Sequence, residues 1–168
     1  MGPSDPLQDY QAAREKTAIF DAGELGKLLF KGPDRYTYLN GQFSSDVKNL
    51  KSGQGLPTCI LTPRGKLEAD FVLYDRGEDL LSIQQPQATA AILGALKKSL
   101  PLADITVEDA TGLFGAFWMG GRKVSEILEV VFDAPFNLPP YACRPAAWKN
   151  ERIWVLSDPR IAKESVIL

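Results

Sequence analysis

Two apolar runs, "LPTCILT" at 56–62 and "KLEADFVLYD" at 66–75, flank the tripeptide Pro63-Arg64-Gly65. Each run is long enough for one strand, and so short a turn leaves no room for the crossover that a parallel pair requires. The two strands therefore pair antiparallel, and the rest of the chain has to assemble around that hairpin. Strand alternation assigns Leu67, Ala69, Phe71 and Leu73 to one face and Lys66, Glu68, Asp70, Val72 and Tyr74 to the other. The first set is the expected core face. Asp70 is expected to point away from it, into solvent or into a pocket.

Upstream, the spacing of "QDYQAAREKTAIFD" (8–21) predicts an amphipathic helix ending near Asp21. "ELGKLLFKG" (24–32) reads as a strand, and "PDRYTYLNGQ" (33–42) as a helix opened by Pro33, whose missing N–H costs nothing there. "SSDVKNLKSGQG" (44–55) reads as a helical turn running into a glycine loop. Downstream, "EDLLSIQQ" (78–85) reads as a third strand of this group. "PQATAAILGALKKSL" (86–100) reads as a helix in which Ile92, Leu93, Leu96 and Leu100 make one buried stripe, stopped by Pro101.

"ADITVEDA" (103–110) and "GLFGAFWMGG" (112–121) read as strands, the second buried on both faces. "RKVSEILEVVFDA" (122–134) places Val124, Ile127, Leu128 and Val131 at helical spacing as core. A proline-rich connection, "APFNLPPYACRPAA", leads to a last strand, "ERIWVLSD", and "RIAKESVIL" looks like the opening of a further element. The order is strand, helix, strands, helix, strand, and then a second similar start. It predicts an α+β fold of ferredoxin-like character with a largely antiparallel sheet. A first lobe is expected at 1–110 and a second, incomplete one at 111–168.

The 168-residue chain has no histidine, so neither a Ser-His-Asp nor a Cys-His pair can be built, nor a zinc site that uses imidazole. Hydrophobic residues make up 45% and charged residues 24%, the balance of a globular protein with a real core. A net charge of −2 with scattered Lys and Arg carries no nucleic-acid footprint. Cys59 and Cys143 stand outside any C-x-x-C spacing and read as small buried hydrophobes in a reducing compartment. No metal site is expected. The polar start lacks a signal-peptide core, Pro6 stands where a myristoylation signal wants Ser or Thr, and no apolar run reaches the ~20 residues of a membrane span. A soluble, cytoplasmic protein is expected. Neither common phosphate-binding glycine loop is present, and "SGQG" at 52–55 and Gly120-Gly121 read as turns.

A linear pattern runs through these elements. Gly32 and Asp34 open a helix, Tyr38-Leu39 and Asp46-Val47 follow, and a glycine loop and a strand lead to the Gly65 turn. Asp70 stands five residues beyond that glycine, and "FWMGGRKVSEIL" later supplies a strand, a glycine turn and a helix. Over residues 10–132 the pattern resembles the N-terminal half of the glycine-cleavage T-protein (aminomethyltransferase) and its YgfZ-type folate-binding relatives. "LTPRGKLEAD" is similar to the YgfZ branch in particular.

The resemblance implies a site for tetrahydrofolate or a one-carbon derivative, with Asp70 as its catalytic acid beside the folate N5. It implies Tyr38, Gln42, Arg64 and Gln85 as near neighbours. Gln84 or Gln85 takes the place of a folate-contacting Asn, and Arg64 and Lys66 would meet the glutamate tail. A carboxylate suits this task, because it accepts the pterin's N–H donors and stabilises an iminium-like cation. Ala69 departs from the T-protein, which has a second acid there, and the K-G-C-Y-x-G-Q-E stretch of the YgfZ branch is absent. The family fold is a three-lobed ring of which this chain supplies part, so aminomethyl transfer is not expected of it alone. The function expected is folate binding in support of iron–sulfur enzymes. The alternatives are a lobe kept as a protein-interaction module without folate, and a one-carbon transferase. The implied partners are folate, an iron–sulfur protein client, and either the missing C-terminal lobes or a second copy docking near Ala134–Leu168.

Overall fold

The structure, a computed structural model, describes residues 5, 7–8, 10–11, 16–97, 99–160 and 162–168. In chain order the strands are β1 (Thr17–Asp21), β2 (Gly26–Lys31), β3 (Gly55–Leu61), β4 (Leu67–Asp75), β5 (Leu80–Gln84), β6 (Thr106–Asp109), β7 (Phe117–Gly121), β8 (Cys143–Trp148), β9 (Glu151–Ser157) and β10 (Ser165–Ile167). The helices that bear on the fold are α1 (Arg35–Asn40), α2 (Pro86–Leu96) and α3 (Val124–Phe132). The chain divides into two compact units, Gly23–Gly115 and a second made of Met1–Ala22 with Ala116–Leu168.

The Gly23–Gly115 unit is an antiparallel sheet in the order β3-β4-β5-β2-β6. Leaving aside the edge strand β3, its elements run βαββαβ, and β6-β2-β5-β4 is the 4-1-3-2 order of a ferredoxin-like sheet. The hairpin closes as its residues demand. The Gly65 N–H donates to the Thr62 carbonyl at 2.9 Å and the Lys66 N–H to the Thr62 hydroxyl at 3.0 Å, with Gly65 at φ +76°. That left-handed backbone is one a side chain would penalise.

Both helices cover one face of this sheet, where Leu28, Phe30, Leu39, Phe71, Leu73, Leu80, Ile92 and Leu96 are buried together. Each such side chain contributes about 1.5–3 kcal/mol on burial. Phe43 meets Phe71 and Phe30 edge-on, with ring centroids 4.8 and 6.1 Å away. In the α2 stripe Ile92 and Leu96 are buried, and Leu93 and Leu100 pack partly buried against the same core. The helix closes at Leu96, however, and Leu100 lies in a short 3₁₀ turn with Pro101 inside it. Pro33 precedes α1 rather than opening it, and the Asp34 carboxylate accepts the Asp104 N–H at 2.8 Å instead of capping the helix.

Strand β4 keeps the expected alternation only in part. Ala69, Phe71 and Leu73 are core, but Leu67 is 61% exposed, because it sits beside the turn, beyond the reach of the helices. Val72 and Tyr74, expected on the outer face, are fully buried there. Cys143 is buried as expected, whereas Cys59 is half-buried on the edge strand; both are free thiols.

The second unit is an antiparallel sheet ordered β1-β7-β10-β9-β8, with Met119, Val155 and Val166 packed against Val124 and Leu128 of α3. Here the expectations fail more often. Residues 17–21 form β1, not the end of a helix: Thr17, Ile19 and Phe20 suit a strand, and the pairing with β7 outweighs local periodicity. Of the rest of that predicted helix, Gln8, Tyr10 and Gln11 are helical, and residues 9 and 12–15 lie outside the described residues. Strand β8 occupies part of the expected proline-rich connection, and Pro145 is tolerated because β8 is an edge. The final segment, expected to open a further element, carries the short strand β10, set between β7 and β9. On α3 only half of the stripe is core, since Ile127 and Val131 are 36% and 42% exposed.

Candidate functional site

Asp70 lies on the face of β4 turned away from α1 and α2. The register fixes its neighbours. Cys59 of β3 pairs directly with Asp70, and Phe71 pairs with Gln84 of β5, so the next residue outward, Gln85, stands opposite Asp70. Gln85 is still extended, with φ −63° and ψ 146°. Cys59 and Asp70 thus face each other across β3 and β4, with Cβ atoms about 4.5–5.5 Å apart, and Gln85, one residue past the last pair of β5, continues the row. Asp70 and Gln85 are exposed, and Cys59 is half-buried. Among the described residues, the Asp70 carboxylate has no hydrogen bond or ion pair.

The row has a firm edge. Ser44 donates its N–H to the Cys59 carbonyl at 3.0 Å, and its Oγ accepts the Cys59 N–H at 3.1 Å and the thiol at 3.0 Å. Ser45 Oγ donates to the Pro57 carbonyl at 2.9 Å, so the 44–45 segment runs along the outside of β3. Toward the sheet centre, on the same face, Val72, Tyr74, Leu81, Ile83 and Leu29 are all buried. Lys27, buried among the same strands, donates its Nζ to the carbonyls of Gly23 and Leu25 at 2.9 and 2.8 Å. The arrangement sets an acceptor and an amide at the border of a covered apolar face. Such a border can seat a flat ligand that carries N–H donors.

The other residues singled out in the sequence are spread more widely. Arg64 is exposed in the turn, with Lys66 beside it. Gln42 is half-buried just past α1, and its N–H donates to Leu39 at 3.1 Å. Tyr38 is on the helix-covered side, where its hydroxyl donates to the Leu96 carbonyl at 2.9 Å and lies 2.9 Å from Ser99 Oγ. Gln84 is on that side as well, its Nε2 donating to Thr89 Oγ1 at 3.3 Å. The structure therefore brings Asp70 and Gln85 together and puts the sheet between them and Tyr38 and Gln84. Cys59 and Ser44 are additions. Counting outward from the hairpin turn finds Cys59 only if the irregularity at Ile60/Leu61 is allowed for.

The far end of β4 is the opposite case. Asp75 is buried and accepts the Tyr36 hydroxyl at 2.6 Å and the Gly77 N–H at 2.8 Å. Burial, then the hydrogen bond to Asp75, pushes the Tyr36 phenol above its ordinary range.

The profile of the GCVT N-terminal domain matches residues 5–157, nearly the whole chain. The chain belongs to the GCVT N-terminal domain family. Aminomethyltransferases of Listeria innocua and Thermosynechococcus vestitus are 25% and 26% identical to it over 130 and 153 residues. These alignments cover 77% and 90% of this chain but only 36% and 42% of the relatives, so the chain spans less than half of their length. Among solved structures, glycine cleavage system aminomethyltransferase T from Bartonella henselae matches with a TM-score of 0.82 at 16% identity, over 96% of this chain and 43% of that one. Heterotetrameric sarcosine oxidase from Corynebacterium sp. U-96 matches at 0.59 and 13% identity, over 90% of this chain and 75% of that one. Both likenesses are likenesses of fold. Among the described residues of this GCVT-type domain, no helix is long and apolar enough to cross a membrane, and no cluster of three or more His, Cys, Asp or Glu could hold a metal ion.

Proposed function

We propose that this GCVT-type domain binds a reduced folate, tetrahydrofolate or a one-carbon derivative of it, at the row Cys59–Asp70–Gln85. The observation that supports this most is Asp70 itself, an outward carboxylate with no protein partner among the described residues, at the border of a buried apolar face. The donor set fits. A pterin offers N–H donors to the carboxylate, the Gln85 amide can both give and accept, and the apolar neighbours keep water from one side. Arg64 and Lys66 put positive charge on the turn, where a glutamate tail would meet it, and Gln42, close in sequence to Ser44, is a further candidate contact.

A bound folate supplies N5 as the carrier atom for a one-carbon unit. The part of this chain is to hold and orient. Asp70 accepts a ligand N–H and offsets positive charge at the carrier atom, which is electrostatic stabilisation of the kind that matters most in such sites. The activity proposed for this domain is ligand binding. The finer YgfZ-type role, support of iron–sulfur enzymes in the cytoplasm, rests on the "LTPRGKLEAD" stretch. Its test is iron–sulfur enzyme activity in cells deprived of this chain. Completion of the site by a second copy, near Ala134–Leu168, is tested by light scattering with and without folate.

Titration of the purified protein with 5-formyltetrahydrofolate, followed by calorimetry, should give saturable binding. No heat up to about 1 mM, where binding free energy has fallen to about −4 kcal/mol, would remove the folate function. A protein-interaction module would then be what remains.

A further inference from the structure

Directly behind the Asp70 row, on the helix-covered face, Gln84 is buried to 1% exposure. Its Nε2 donates to Thr89 Oγ1 at 3.3 Å, and its Oε1 has no partner among the described residues. Thr89 belongs to the first turns of α2, which starts at Pro86. Gly26, which pairs with Gln84 across β2 and β5, closes the third side. A Cβ on Gly26 would lie 2.1 Å from Thr89 Oγ1 and 2.9 Å from both Cγ and Nε2 of Gln84. Only a residue with no side chain lets the end of β2, the amide and the start of α2 meet here. A leucine in place of Gln84 would fill similar space without leaving a buried acceptor unpaired. What the amide adds is its reach to Thr89.

Gln85 is caught between these parts. It follows Gln84 in the chain and is the N-cap of α2, where its carbonyl accepts the Ala88 N–H at 3.0 Å. We infer that Gly26, Gln84 and Thr89 form a lock that positions Gln85 opposite Asp70, tuning ligand affinity without touching the ligand; for the identity of that ligand the inference rests on the folate function above. Gln84 is a positioning residue and Gln85 the contact. Preorganisation of this kind acts on affinity through the cost of ordering the contacting group.

The test is a double-mutant cycle with Thr89→Val, which removes the hydroxyl and keeps the shape, and Gln85→Ala. In the wild-type background Thr89→Val should weaken 5-formyltetrahydrofolate binding about 5- to 10-fold, and less than about twofold when Gln85 is already Ala. Hydrogen exchange read by NMR gives a measurement that needs no folate. The Ala88 N–H should exchange about tenfold faster in Thr89→Val, while the Lys97 N–H, bonded to Leu93 at the other end of α2, keeps its rate. Gly26→Ala should move both readouts the same way and further. Equal losses of affinity in the two backgrounds, or unchanged exchange at Ala88, would overturn the lock. If the wild type binds no folate but the exchange shifts as stated, the folate function falls and the lock stands. If folate binds but the cycle is additive, the lock falls and the folate function stands.

Discussion

Asp70 and Asp75 share a strand and face opposite ways, five residues apart. Asp75 is buried, and besides accepting the Tyr36 hydroxyl and the Gly77 N–H with its carboxylate, its N–H donates to Gln54 and its carbonyl accepts the Gly53 N–H, each at 2.8 Å. Asp70 is exposed and its carboxylate has none of this among the described residues. An ionised group is costly to bury unless it is paired and hydrogen-bonded. The fold meets that requirement at one end of β4 and has no need to at the other. An acid inside an apolar run thus says little about function until its partners are known.

The largest expected effect tests that contrast as stability. Asp75→Ala leaves the Tyr36 hydroxyl and the Gly77 N–H without their acceptor, and should lower the unfolding free energy by about 3 kcal/mol in urea. Asp70→Ala should change it by no more than about 0.5 kcal/mol. Similar losses in the two variants would break the comparison.

Tyr36→Phe comes next, at about 1 kcal/mol near neutral pH. The phenol is raised in the folded state, so its contribution is complete below the ordinary tyrosine pKa of 10.0 and is lost as pH rises through the raised value. Urea midpoints measured from pH 8 upward should therefore fall on the alkaline side in the wild type and less steeply in Tyr36→Phe. Parallel curves would show that the Asp75 end does not act as described.

The smallest effect belongs to an acid between the two extremes. Asp109 is exposed but accepts the Thr111 N–H at 3.0 Å. Its carboxyl is held below the ordinary value by the Thr111 hydroxyl first and then by that N–H. A lowered pKa contributes above the ordinary carboxylate value and is lost as pH falls through the lowered one. Asp109→Asn should cost about 0.3 kcal/mol at pH 7, discounted for solvent screening, and nothing at the acid end. A loss as large as that for Asp75→Ala would mean that exposure is not what separates these acids.

The strands of the Gly23–Gly115 unit are legible in the sequence because each is set by its own alternation and by a nearby turn. So is the outward direction of Asp70, which follows from Ala69 and Phe71 on either side. The burial of Val72 and Tyr74 is not, since alternation names two faces but not what covers each. β1 and β10 are set by pairing with β7, a strand distant from β1 in sequence, and Pro145 hides β8 by removing a donor that an edge strand does not need. The candidate site divides along the same line. Gln84 and Gln85 are chemically identical, and only the pairing of Gln84 with Phe71 puts the first inside and the second beside Asp70. The family resemblance implies Tyr38 as a neighbour of the ligand, but α1 turns its hydroxyl toward the Leu96 carbonyl.

Calorimetric titration of wild type and Asp70→Asn with 5-formyltetrahydrofolate, alongside their urea midpoints, tests the central claim most directly. Loss of a charge-assisted hydrogen bond of ~1.5–3 kcal/mol should weaken binding roughly 10- to 150-fold and leave the midpoint in place. Equal affinity in the two proteins would contradict the assignment of Asp70 as the acid that holds the ligand.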